Sequence, residues 1–226
     1  MVLSLVFTNE STMSSIPEKY DLIVVGTGFA STFFLYQYLK KASPEKKVLV
    51  LELGHLFSHS DRRRERAGQK PSSPNRNPEP HEVYINKNPN KLWAFTTGFG
   101  GSSNCWYGCT PRFLPSDFKL KTLYGVGEDW PITYDELETY YTKVEELMSI
   151  SGPAETPFRK SSTYPLPPHN LSTVDKILQE QYGSLYISQP TARASRAVNG
   201  RNACCAGAVC GVCPVNAKFT IENSNL

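Results

Sequence analysis

The chain has 226 residues, 39% hydrophobic and 20% charged, with a formal net charge of +3 at pH 7. That balance is ordinary for a globular protein of one large or two small domains. So small a cationic excess leaves no electrostatic footprint for nucleic acid or an anionic membrane, and neither is implied as a partner by charge.

Residues 1–19 read as a flexible N-terminal extension. Met1 to Phe7 carries no basic run and only a short apolar stretch, so no secretory signal is predicted. The chain is expected in the cytoplasm, or exported only with a partner. From Leu22 to Leu39 eighteen residues pass without a formal charge, which raises the question of a membrane span. Gly26 and Gly28 break that stretch and Ser31, Thr32 and Gln37 add polarity, so no transmembrane segment is predicted. Tyr20-Asp-Leu-Ile-Val-Val25 has instead the composition of a buried parallel strand. It runs into Gly26-Thr-Gly-Phe-Ala-Ser31, and a helix follows through Phe33, Phe34, Leu35, Tyr38 and Leu39. Lys40 and Lys41 suit its C-terminus and Pro44 stops it. A second strand, Lys47-Val-Leu-Val-Leu-Glu52, ends in an acid and completes a βαβ unit of about thirty residues.

From Gly54 to about Lys91 the sequence is polar and proline-rich without sustained periodicity, and 55–91 is expected to be a long loop. Its basic run Asp61-Arg-Arg-Arg-Glu-Arg66 is expected to be a solvated part of that loop. Farther on, Thr133 with Glu136 three residues later forms a capping-box pattern. Leu137, Tyr141, Val144 and Met148 then recur at helical spacing, and Ser151-Gly-Pro153 ends that helix. Another helix is predicted from Ser172 to Tyr182, with Val174, Ile177 and Leu178 facing inward.

The first glycine loop lies between a strand and a helix, and Glu52 ends the next strand about twenty residues later, as dinucleotide binding requires. Gly26 allows the tight turn, Gly28 lets the backbone reach a pyrophosphate, and the helix N-terminus meets its charge. Thr27, Ala30 and Ser31 complete the candidate cofactor-binding set of this loop, Ser31 standing where a third glycine is usual. Glu52 is expected to accept hydrogen bonds from the adenosine ribose hydroxyls. NAD and FAD both use such a unit. A second run, Gly98-Phe-Gly-Gly-Ser-Ser-Asn-Cys-Trp106, supplies Gly100, Gly101, Ser102, Ser103, Asn104, Cys105 and Trp106 as further candidates. A second loop of small residues suits the larger FAD, whose flavin end needs its own cradle.

Several ordered motifs carry a family resemblance: Ile23-Val-Val-Gly-Thr-Gly28, Gly100-Gly-Ser-Ser103, Thr110-Pro-Arg112 with Asp117-Phe118, Asp129-Trp-Pro131 followed by Tyr134-Asp-Glu-Leu-Glu138, and Cys213-Pro214 with Ala217-Lys218. Together they resemble the N-terminal part of the glucose-methanol-choline (GMC) oxidoreductases. Within that family the resemblance is to the branch of pyranose oxidase and the large subunits of bacterial gluconate, fructose and glucose dehydrogenases. The likeness runs from about Tyr20 to the end. It implies an α/β fold with a Rossmann-like FAD-binding βαβ core, irregular loops and added helices, here an incomplete domain over 20–226. It also implies hydride transfer from a CH–OH group of an alcohol or sugar to flavin N5, by a dehydrogenase passing electrons to a partner subunit. Cys105 stands where the pyranose-oxidase type has a flavin-linked histidine, so noncovalent FAD is expected.

Within the Cys-rich segment 200–218, Cys204, Cys205, Cys210 and Cys213 resemble the segment of those large subunits that holds an iron–sulfur cluster, with Cys204, Cys210 and Cys213 as first ligands and Cys205 spare. Reduced metal-free thiols, zinc and a disulfide remain open alternatives. Cys105 and Cys109 are expected as small packing residues. The family's catalytic histidine lies far toward the C-terminus of a longer chain, and His55, His59, His81 and His169 are expected in solvated loops. No catalytic residue is assigned, and a missing C-terminal half is an expected partner. A noncatalytic FAD-binding or interaction fragment is the alternative, while a nicotinamide reductase is disfavoured by Gly100-Gly101.

Overall fold

A computed structural model of the chain describes residues 2–7, 19–70, 77–88, 90–91, 95–224 and 226. It is a mixed α/β structure with a small parallel sheet. The residues divide into two compact units. The first holds Met1–Tyr107, Ala208–Asn216 and Thr220–Leu226, the second Gly108–Gly207 and Ala217–Phe219.

In the first unit, strands β1 (Val2–Phe7), β2 (Leu22–Val25) and β3 (Lys47–Glu52) form the sheet in the order β1-β3-β2, all parallel. The segment expected as a flexible extension therefore contributes an edge strand, Val2 opposite Lys47 and Phe7 opposite Glu52. Helix α1 (Phe29–Leu39) connects β2 to β3 as the predicted βαβ unit. Val24, Val48 and Val50 are buried against Leu22, Leu35, Tyr38 and Leu39. Burying such side chains supplies about 1.5–3 kcal/mol each and fixes the helix on one face of the sheet. Ile23 and Val25 point to the other face and are 55% and 77% exposed. The apolar run of β2 had suggested burial on both faces; the alternation of a strand shows that only one is covered here.

The segment 55–91 also departs from expectation, because it carries helices α2 (His59–Arg66) and α3 (Pro80–Val83). Ser58 caps α2 by accepting from the Asp61 amide, and Asp61 is buried while Arg63, Arg64 and Arg66 are exposed. Charge-rich sequence has no apolar stripe, so periodicity missed a helix that its cap and ion pairs sustain. Arg62 and the His59 amide both bind Glu222, and His59 Nε2 lies 2.6 Å from the Cys213 carbonyl oxygen.

In the second unit, α4 (Leu120–Tyr124), α5 (Tyr134–Met148) and α6 (Thr173–Tyr182) are joined by irregular chain. Its core is built on Phe118, Tyr134, Met148, Ile150, Leu166 and Phe219. Helix α5 begins with the predicted box: the Thr133 amide donates to Glu136 Oε2 at 2.7 Å and the Glu136 amide to Thr133 Oγ1 at 3.3 Å. Ser172 and Asp175 make the same reciprocal cap on α6. Contrary to expectation, Val174 and Ile177 of α6 are 65% and 58% exposed. Helical spacing tells which residues share a face, not whether anything packs on it. His169 is half-buried and bonded to the Arg193 carbonyl, so neither it nor His59 is the solvated loop residue expected.

Arg112 of the second unit is almost fully buried and satisfies its whole guanidinium. It forks onto Glu145 (Nε to Oε1 2.7 Å, Nη2 to Oε2 2.9 Å) and reaches Glu138, Tyr134, Thr142 and the Arg159 carbonyl. Lys160 also binds Glu145, 2.5 Å from Oε2. Two cations thus face two carboxylates, which explains how so many charges sit at the root of α5.

Candidate cofactor site

The candidate residues of the first unit meet where the parallel strands end. Beyond β2 the Gly26 amide donates to the Leu51 carbonyl at 2.7 Å, and its φ of +85° is one that glycine alone adopts without strain. Thr27 is buried; its amide and its hydroxyl both donate to Glu52 Oε2, at 2.9 and 2.6 Å. Gly28 is the N-cap of α1, with φ −71° and ψ −175°. Those angles suit any residue, and a Cβ placed there would meet nothing within 4 Å. Neither conformation nor packing therefore requires glycine at 28, whereas a group approaching the backbone from outside would.

No side chain caps α1, and its first turn holds no acid. A helix start without either favours an anion. Ala30 is exposed in that turn, and the Ser31 hydroxyl turns back to the Val25 carbonyl at 3.4 Å.

Glu52 is 6% exposed and accepts a third bond from the Gly54 amide at 3.2 Å. The strand-end acid is thus held inside the loop rather than presented to solvent. A carboxylate has about four acceptor positions, so one remains.

The second glycine loop lies against the first. The Gly100 amide donates to Thr27 Oγ1 at 2.9 Å, and a Cβ on Gly101 would stand 3.6 Å from the Gly28 Cα. Gly101–Asn104 form a single 3₁₀ turn. Ser103 is fully buried and accepts from the Ile221 amide at 3.1 Å, Asn104 Nδ2 donates to the Phe99 carbonyl at 2.9 Å, and Thr96 Oγ1 donates to the Gly101 carbonyl at 2.6 Å. Ser103 and Asn104 therefore hold the loop's shape. Ser102 is exposed, Cys105 is half-buried with its thiol 3.6 Å from the Ser102 carbonyl, and Trp106 packs edge-on against Phe29 at 4.7 Å between ring centroids.

Sequence reasoning missed Asn77, which accepts from the His55 amide at 2.5 Å, and Thr96 and Phe99, which brace the second loop. The Thr96-Thr97 pair directly before Gly98 was the available signal. A pocket of about 350 Å³ opens beside Thr27, lined by Thr32, Leu35, Leu39, Val50 and Phe99.

The cysteines give a different result. None of the six forms a disulfide. Cys204 and Cys205 belong to the second unit, Cys210 and Cys213 to the first. Among the described residues no three of His, Cys, Asp or Glu gather as a metal ion would need. Among the described residues no helix is long and apolar enough to cross a membrane. The uncharged stretch from Leu22 to Leu39 is divided between β2 and α1.

No family model matches the chain. It is similar to the fructose dehydrogenase large subunit of Gluconobacter japonicus, 28% identical over 235 residues, which cover 92% of this chain and 43% of that protein. It is also similar to 2-methyl-1,2-propanediol dehydrogenase of Mycolicibacterium austroafricanum, 29% identical over 62% of this chain and 26% of that protein. A third relative is 6'''-hydroxyparomomycin C oxidase of Streptomyces lividus, 29% identical over 56% of this chain and 25% of that protein. The chain spans less than half the length of these curated relatives, and the proteins it is similar to are oxidoreductases.

Proposed function

We propose that the chain is the FAD-binding N-terminal portion of a GMC-type oxidoreductase acting on CH–OH groups of alcohols or sugars, a dehydrogenase rather than an oxidase. The observation that carries this reading is the joining of the two glycine loops at Thr27, beside a glycine at position 28 that the protein itself does not require. The named relatives support it, because a sugar, a diol and a hydroxylated compound stand in their names.

In this reading the uncapped start of α1 and the open backbone at Gly28 receive the pyrophosphate. Glu52 offers its remaining acceptor position to a ribose hydroxyl. The loop from Gly100 to Trp106 faces the flavin end, with FAD held noncovalently at Cys105. When bound, FAD supplies the acceptor for hydride. The chain's own contribution is to bind and orient; the base that takes the hydroxyl proton is assigned to none of its residues. An electron-accepting subunit, or a further C-terminal portion carrying that base, would complete the enzyme.

Titration of the purified chain with FAD, followed by flavin absorbance and fluorescence, tests the reading, with NADH as the comparison. Saturable FAD binding without NADH binding is expected. NADH binding in place of FAD would overturn it.

A further inference from the structure

We propose that Thr27 is a positioning residue, whose hydroxyl sets the second glycine loop against the strand-end acid before any cofactor arrives. Its functional meaning rests on the FAD reading; the geometry stands apart from it. A hydroxyl offers one donor and two acceptor positions. The donor goes to Glu52 Oε2 at 2.6 Å and an acceptor position takes the Gly100 amide at 2.9 Å, both bonds being buried. The Thr27 amide binds the same Glu52 oxygen, so the residue is held at two points and its hydroxyl cannot swing away. A β-branched side chain is stiff about its first torsion, which adds to that fixation.

The far end of the second loop has its own ties, Ser103 to the Ile221 amide and Asn104 to the Phe99 carbonyl. Its near end, where Gly100 turns with φ +89°, is tied through Thr27. Loss of that hydroxyl leaves a buried amide without its acceptor. The first loop's middle residue thus acts on the other loop, where sequence reasoning had made it a cofactor contact.

Amide exchange over residues 98–106, measured by mass spectrometry on the chain without ligand, tests this with Thr27→Val and Thr27→Ser. Valine keeps the shape and removes the hydroxyl; serine keeps the hydroxyl. Thr27→Val is expected to speed exchange at Gly100 roughly three- to tenfold, the worth of one hydrogen bond, and to weaken FAD binding by a similar factor. Thr27→Ser should stay within about twofold of the parent, within the normal spread for one hydrogen bond. Unchanged exchange at Gly100 in Thr27→Val overturns the proposal, as does an equal rise across α5 in the second unit, which would report general destabilisation. A parent chain that binds no FAD overturns the cofactor reading instead, and the exchange comparison still decides the role of Thr27.

Discussion

Replacing Arg112 by Met removes the centre of a buried charge cluster while keeping most of the side chain's volume. Arg112 makes six hydrogen bonds, two of them the fork onto Glu145, and its side chain is 1% exposed. Burial alone would lower its pKa, but the hydrogen bonds it donates to Glu145, Tyr134 and Glu138 outweigh that and raise it. Removing one partner of a buried ion pair costs about 3–5 kcal/mol, because the other is left uncompensated. Lys160 remains beside Glu145 and softens the loss, which places the expected value near the lower bound, about 3 kcal/mol. In a chain of this size that corresponds to roughly 6–12 °C in Tm.

The assay is thermal unfolding followed by circular dichroism at neutral pH, with Arg112→Lys beside it. Lysine keeps a charge but not the planar fork, so it should recover less than half of the loss. A double-mutant cycle with Glu145→Gln should return a coupling above about 1.5 kcal/mol. A drop of less than about 2 °C for Arg112→Met, below what 1 kcal/mol produces, would refute the idea that this cluster fixes α5.

The Ser161 amide and then Arg112 hold Glu138 at a pKa of about 2, below its ordinary 4.5. A depressed carboxyl stabilises the fold above pH 4.5 and loses that contribution as pH falls toward 2, at most about 3 kcal/mol; denaturation midpoints of Glu138→Gln should fall less steeply over that window, and parallel curves would contradict the assignment. Gly28→Ala should weaken FAD binding at least tenfold, or about 1.4 kcal/mol, while Tm holds or rises slightly, because the added methyl meets only open space in the protein; unchanged affinity by fluorescence titration would remove Gly28 from the site. Thr133→Ala removes the N-cap of α5 and should cost about 1 kcal/mol, read as a fall of 2–4 °C in Tm. Acid precipitation of the FAD-loaded chain should leave the flavin in the supernatant, and flavin in the pellet would show that Cys105 does not preclude a covalent link.

What the sequence made legible was local. The βαβ unit, the capping box of α5 and both long helices of the second unit lie within a residue or two of where strand composition, Thr133 with Glu136 and the start at Ser172 had placed them. Each is decided by neighbours in the chain, through caps, turns and periodicity. Helix α2 was illegible because His59 to Arg66 has no apolar stripe and its anchor, Glu222, lies 160 residues beyond Arg62. The exposure of Val174 and Ile177 was illegible for the converse reason, since a stripe does not reveal what covers it. Thr110-Pro-Arg112 and Tyr134 to Glu138 had been read only as motifs of a family; their physical content is the salt-bridged cluster that ties a loop to a helix.

The candidate site divides along the same line. Thr27, Glu52 and Ser103 have partners within the protein that account for their chemistry. Their presence would be explained had no ligand ever bound. Gly28 and the capless start of α1 have no such account, because φ −71° admits any side chain, the space beyond is open, and a helix of eleven residues begins without the oxygen that α5 and α6 both carry. A negatively charged group seated there supplies both missing reasons at once. The phosphate end of the cofactor is therefore the part of the proposal that this chain's own geometry supports most directly, and Gly28→Ala is the substitution on which it turns.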